Sequence, residues 1–178
     1  MPTRVAVHLT ILTIAVFITF LWMSDEILAH YSLQLTALLI LALIFSHRLH
    51  RPSQFRLVES VVSTIAVLLL TSATGGIASP LFFLNHFLLF ELSLLLEPII
   101  PIFLSFMLIT YYLFAHQVGA GSSLIPLLAF PFLTPLAYFF GKVYQKSKNQ
   151  HKELLTLSHK VEELKEELVE EEMKFPLN

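Results

Sequence analysis

Three side chains able to handle a proton or a polar ligand, Asn85, His86 and Glu91, lie inside one apolar stretch. Polar and ionisable groups in hydrocarbon are costly, and their presence there marks candidate functional positions. Counting about 1.5 Å per residue from Pro80 places Glu91 near the middle of that stretch and His86 in the half nearer Pro80. Five residues separate them, so they occupy different faces of a helix and do not form an acid–base couple. A second feature precedes them: Thr74-Gly75-Gly76-Ile77-Ala78-Ser79-Pro80. Adjacent glycines open backbone angles closed to other residues. Ser79-Pro80 reads as a helix cap followed by the first helical position. Free N–H groups at such a helix start could donate to a polar headgroup; the competing reading is a tight inter-helix turn. For Glu91, the alternatives are proton or ligand handling and a hydrogen-bonded packing contact to Ser63, Thr64, Ser105 or Thr110. His30, His116 and the pair Tyr111–Tyr112 read as membrane-interface side chains, and no close His spacing supports a metal site. Glu59, beside Arg56, reads as interfacial. No catalytic constellation is present: there is no serine–histidine–acid grouping, no H-E-x-x-H and no phosphate-binding glycine loop. With no Cys in the chain, disulfides, thiolate metal sites and thiol redox chemistry are excluded.

The elements that must position these residues follow from composition. Of 178 residues, 56% are hydrophobic and 13% charged, with 16 Phe. A soluble domain carries about a quarter charged residues, so a typical soluble enzyme and a nucleic-acid-binding domain are excluded. Disorder is excluded for most of the chain by its hydrophobicity. The expected class is an all-α integral membrane protein. Six stretches are long enough to span: about Val5–Met23, Ile27–Ser46, Leu57–Thr74, Pro80–Glu97, Ile99–His116 and Ser123–Tyr144. The basic residues test this threading, because Lys and Arg collect in cytoplasmic loops. Arg4 precedes the first stretch, Arg48, Arg51 and Arg56 fall between the second and third, and all seven Lys lie at or beyond the end of the sixth. Six spans put every one on a single side, so both termini are expected in the cytoplasm of an inner, multi-pass membrane protein. Pro98 and Pro101 bracket the expected turn between the fourth and fifth spans. Pro126, Pro131 and Pro135 predict a kinked sixth helix, or a bent, re-entrant segment.

The expected domains are 1–144, the membrane region, and 145–178, a cytoplasmic charged helix. Residues 142–152 hold four Lys and no acid, whereas 153–178 hold three Lys and eight Glu. The Lys cluster sits where lipid headgroups would be. Leu154, Leu157, Val161, Leu164 and Leu168 recur at spacings of three and four, forming a short heptad seam. This is either a dimer stem or a solvated helix with one apolar stripe. In a parallel self-pair, Lys160 would face Lys165 of the partner and Glu167 would face Glu172. Pro176 ends the helix.

The stretch Thr74–Leu84 resembles a T-G-G-I-x-S-P-[FL]-F-F-L signature of six-helix membrane regions in bacterial sensor histidine kinases. More distantly it is similar to the redox-responsive sensor kinases of photosynthetic proteobacteria (the RegB type), which carry G-G-x-x-N-P-F in a short external loop. Gly75, Gly76 and Pro80 match that motif, while Ser79 stands for Asn and Leu81 for Phe. The resemblance implies a membrane sensor region, with quinone as the candidate ligand. It also implies a kinase that is not found here. Ser158-His159-Lys160 lacks the acid, Arg and Pro of a phospho-accepting box, so His159 reads as a surface helix residue. The expected function is a sensor-like input module without kinase activity. It would sense a lipophilic ligand or membrane state through Gly75, Gly76, Ser79, Pro80, Asn85, His86 and Glu91. Its expected partners are membrane lipids, a second copy of the chain, and a cytoplasmic signalling protein. The alternatives are a scaffold subunit docking a cytoplasmic partner through its tail, and a small transporter using Glu91, although no internal repeat is found.

Overall fold

The structure is a computed structural model that describes residues 2–49, 56–115 and 125–174. Arg51, His116, the start of the expected sixth span at Ser123, and Pro176 lie outside the described residues. The described residues are predominantly helical, with no strand among them. In chain order the helices are α1 (Pro2–Ser24), α2 (Glu26–His30), α3 (Ser32–Leu49), α4 (Arg56–Ala73), α5 (Leu84–Leu95), α6 (Ile100–Phe114) and α7 (Ile125–Lys174), with a 3-10 turn at Gly76–Ala78. Three helical segments, Val5–Ser24, Arg56–Ala73 and Ile125–Glu170, are long and apolar enough to cross a membrane. The apolar helices Ser32–Phe45, Leu84–Leu95 and Ile100–Phe114 are shorter.

Local chemistry explains where the expected stretches are trimmed. The Asp25 side chain accepts hydrogen bonds from the Ile27 and Leu28 amides at 2.9 and 3.1 Å, starting a separate short helix α2. Tyr31 closes it, so the expected second stretch divides into α2 and α3. Ser32 then accepts from Trp22 Nε1 at 3.3 Å, tying the start of α3 to α1 across the corner. The expected fourth stretch begins at Leu84 rather than Pro80, because residues 80–83 form turns. Its 12 residues span about 18 Å at 1.5 Å per residue. Pro101 lies in the first turn of α6, where a missing N–H costs nothing, so it starts the helix instead of bracketing the turn.

The chain divides into two compact units, Met1–Gly141 and Lys142–Asn178. The boundary falls three residues before the one expected from the sequence. In the first unit, α4 packs against α1, α3 and α5, and α6 packs against α1 and α5. The core is Leu-rich and includes Leu68, Leu89, Leu92, Leu104 and Leu108. The outside is also apolar: Phe106 is 70% and Phe132 80% exposed. A water-facing fold would bury such rings, whereas an apolar exterior suits a hydrocarbon surround.

Helix α7 runs through Pro131 and Pro135 without ending. Each proline leaves the carbonyl four residues earlier without its ladder donor. The Thr134 hydroxyl donates to the Phe130 carbonyl at 2.7 Å in this stretch. Farther along, Ser93 of α5 donates to the Ala137 carbonyl at 2.6 Å. One turn later sits Gly141, where an added Cβ would lie 2.8 Å from the Ser93 backbone oxygen. Ala137 and Gly141 are thus a small-xxx-small pair that admits α5 to close range. In the second unit every residue from Lys152 to Glu170 is exposed.

Candidate functional site

The Gly-Gly turn is built on its dihedral angles. Gly75 has φ 120° and Gly76 φ 60°, both in the region that favours glycine. At Gly75 the demand is conformational, since an added Cβ would meet nothing closer than 3.6 Å. Ser79 is extended at φ −63°, ψ 135°, as the residue before a proline tends to be. Its hydroxyl accepts from the Leu81 amide at 3.0 Å and lies 2.5 Å from the Thr74 hydroxyl. Thr74 gives its own proton to the Leu70 carbonyl at 2.7 Å. The Ser79 hydroxyl must therefore donate to Thr74. This fixes one direction of bonding: Leu81 amide to Ser79, Ser79 to Thr74, Thr74 to Leu70. Ser79 caps a turn and ties it back to the end of α4; it does not cap α5 itself. Pro80 is exposed beside it.

One turn farther along, Asn85 is fully buried. Its amide nitrogen donates to the Phe82 carbonyl at 3.1 Å and to the Tyr112 hydroxyl at 2.9 Å. The Phe82 carbonyl settles which amide atom is nitrogen, because two acceptors cannot face each other. Tyr112 lies 2.8 Å from the Thr71 hydroxyl, and Thr71 donates to the Val67 carbonyl at 2.8 Å. Tyr112 therefore donates to Thr71, and a second directed chain runs from Asn85 through Tyr112 and Thr71 to Val67. Alongside it, Tyr111 and Ser72 pair at 2.9 Å. Both tyrosines are buried, Tyr112 completely. Their expected place in an interfacial aromatic belt is corrected: they are core residues held by hydroxyl partners on α4, as buried tyrosines are.

Two buried atoms here lack a protein partner, Asn85 Oδ1 and His86 Nε2. The His86 ring lies against Phe130 at 4.9 Å and Phe82 at 5.6 Å between centroids. Phe82 also contacts Tyr112 at 5.1 Å and Phe130 at 5.8 Å. Asn85 and His86 thus flank one aromatic cluster drawn from residues 80–83, α5, α6 and α7.

Glu91 belongs elsewhere. Its Oε2 accepts from Ser63 of α4 at 2.9 Å, one of the four partners expected from the sequence. Six residues from Asn85, it is about 9 Å farther along α5. The structure therefore brings Gly75, Gly76 and Ser79 together with Thr74, and Asn85 with Tyr112 and Thr71; Glu91 joins neither group. Sequence reading did not find Thr71, Ser72, Phe82, Tyr112 or Phe130 as site-forming residues. The one available signal was the adjacent polar pair Thr71-Ser72 and the adjacent pair Tyr111-Tyr112, each on a helix facing the other.

A groove of about 440 Å³ lies between α1 and α6, lined by Val16, Phe17, Phe20, Phe106, Met107 and Tyr111 among others. Its two threonines spend their protons on their own helices: Thr13 donates to the Leu9 carbonyl at 2.8 Å and Thr110 to the Phe106 carbonyl at 2.9 Å. The groove therefore presents hydrocarbon and aromatic rings, among them Tyr111, whose hydroxyl pairs with Ser72. Among the described residues no three His, Asp or Glu side chains gather as a metal site. Comparison of the chain with protein-family models, with curated proteins and with solved structures finds no match.

Proposed function

We propose that the chain is a membrane-embedded input module that responds to a lipophilic ligand carrying a polar head, with a quinone as the candidate class. The observation that carries this reading is the pair of buried acceptor-capable atoms, Asn85 Oδ1 and His86 Nε2, beside a positive-φ turn. Unpartnered buried polar groups are rare in folded proteins and call for an explanation. A ligand head that donates a hydrogen bond there, as the hydroxyl of a reduced quinone (a quinol) does, supplies one. In this reading six helices cross the bilayer, the short ones extended by their flanking apolar turns. All Lys and Arg, and both termini, stand on the cytoplasmic side of an inner membrane. The tail forms a stem that meets a second copy or a signalling protein. The T-G-G-I-x-S-P resemblance supports the same reading.

Titration of the purified chain in detergent with a quinone in its reduced, quinol form, followed by tyrosine and tryptophan fluorescence, tests it. Binding that weakens in Asn85→Leu, Gly76→Ala and Ser79→Ala supports the site; equal affinity in all four proteins overturns it. The exposed apolar stripe of the tail favours a second reading, a scaffold docking a cytoplasmic partner through residues 142–178. Specific capture of one protein by the full chain, lost on seam substitution and unchanged by Asn85→Leu, would favour it.

A further inference from the structure

Three helices of the first unit are short for a common bilayer. Helix α5 has 12 residues and α6 has 15, and the apolar part of α3 runs from Ser32 to Phe45. At 1.5 Å per residue these reach about 18, 22 and 21 Å. The hydrocarbon layer of a common bilayer is about 30 Å thick.

Both ends of α5 are fixed by turns that face outward. Before it, residues 74–83 form turns and one 3-10 turn, with Gly75, Ala78 and Pro80 exposed. After it, Leu96 leaves helical angles at φ −107°, ψ −117°, and Ile99 is exposed ahead of α6. Helix α6 closes at Ala115, whose amide donates to the Tyr111 carbonyl at 2.9 Å. Helix ends carry N–H and C=O groups that the helical ladder does not pair. Irregular backbone that faces lipid is not tolerated within hydrocarbon, where nothing else can pair such groups. The two exposed turns therefore belong at opposite polar boundaries, and the helical rise of α5 alone separates them. The apolar side chains of the turns carry the chain onward through the headgroup region.

Tilting gives no relief, because a tilted helix covers less depth than an upright one. The longer helices adapt in the other direction. Val5–Ser24, at about 30 Å, and Arg56–Ala73, at about 27 Å, fit a thinner layer by tilting. A short helix cannot lengthen, so the thickness that suits all of these helices is that of the short ones. Glu91 points the same way. It lies four residues before the end of α5 at Leu95, or about 6 Å. In a layer fitted to α5, its half-buried carboxyl, bonded to Ser63, is within a side chain's reach of the boundary. In a 30 Å layer centred on α5 it would be about 12 Å deep, where ionisable groups are costly.

We propose that the membrane unit is matched to a hydrocarbon layer of about 20 Å, so that lipid must thin to meet α3, α5 and α6. Short-chain lipids are then its preferred partners, and longer chains destabilise it. This rests on the part of the reading above in which these helices cross the bilayer, and not on a ligand at Asn85.

The full chain in lipid nanodiscs tests the match, with phosphatidylcholines that differ only in carrying monounsaturated chains of 14, 18 or 22 carbons. Trp22, the single tryptophan, reports unfolding by its fluorescence, since it bonds Ser32 across the corner between α1 and α3. Unfolding at a fixed temperature should be slowest in the 14-carbon lipid and about tenfold faster in the 22-carbon lipid, because each ångström of mismatch adds its own cost. A second measurement locates the turns. In a chain without other Cys, Ala78→Cys and Ile99→Cys mark the two ends of α5. In 14-carbon nanodiscs, where both faces meet water, both should react with a water-soluble maleimide about as fast as Ser147→Cys. Unfolding that ignores chain length, or is slowest in the longest lipid, overturns the match, as does shielding of either turn in the 14-carbon lipid. Either result leaves a membrane-spanning chain intact. A chain that does not enter nanodiscs at all overturns the membrane reading together with the match.

Discussion

Asn85 gives both amide protons away, to Phe82 and Tyr112, and Tyr112 gives its single proton to Thr71. The hydroxyls of Tyr112 and Thr71 in this hydrogen-bonded series are each committed in one direction, so removing one oxygen strands groups on both sides of it. Tyr112→Phe leaves an amide proton unpaired in a core position, and is expected to cost about 1–2 kcal/mol. Tyr111→Phe removes one hydroxyl pair, with Ser72, and should cost about 0.6 kcal/mol, the average for such contacts between membrane helices. Unfolding of the purified protein in a graded detergent series checks both the sizes and their order. Gly75→Ala should cost a further ~1–2 kcal/mol, because φ 120° strains any residue with a Cβ. Glu91→Gln should be close to neutral in the same assay, since the amide keeps an acceptor for Ser63.

Among the helices, close approach of α5 and α7 depends on Ala137 and Gly141. Gly141→Ala sets a Cβ against Ser93, touching its side chain and lying 2.8 Å from its backbone oxygen. Rotating the Ser93 hydroxyl relieves the first contact but not the second, so Ser93→Ala should rescue Gly141→Ala only in part. Thermal stability of the single and double variants measures that. The sequence made some of these elements legible and hid others for physical reasons. The contact of Ser63 with Glu91 could be foreseen, because both sit at matching depth in neighbouring apolar stretches. Tyr112 could not, since an aromatic near the end of such a stretch reads equally well as an interfacial side chain. Gly141 was hidden because it directly precedes Lys142, where a stretch is simply running out. The split at Tyr31 and the late start of α5 were also hidden: both arise from hydrogen bonds of Asp25 and Ser79, which propensity and hydropathy do not register.

For the whole molecule, the arrangement of charges is the feature that orders everything else. The proposed threading of six crossings puts Ala78 on one side and residues 53 and 147 on the other. A membrane-impermeant maleimide should label Ala78→Cys from outside intact cells, and Ser53→Cys and Ser147→Cys only after lysis. Labelling of Ala78→Cys and Ser147→Cys from the same side would reduce the number of crossings. Within the membrane unit, the contact at Gly141 has a mechanical consequence. Helix α5 begins one turn beyond the glycine turn, carries Asn85 near its start and Ser93 near its end, and meets the final residues of the unit with no slack. Any sliding or rotation of α5 is therefore transmitted to Ala137 and Gly141, the last turn before the unit boundary, as a rod presses on a seated pin. Compliance there, more than affinity at the glycine turn, would set how far a disturbance travels along the chain.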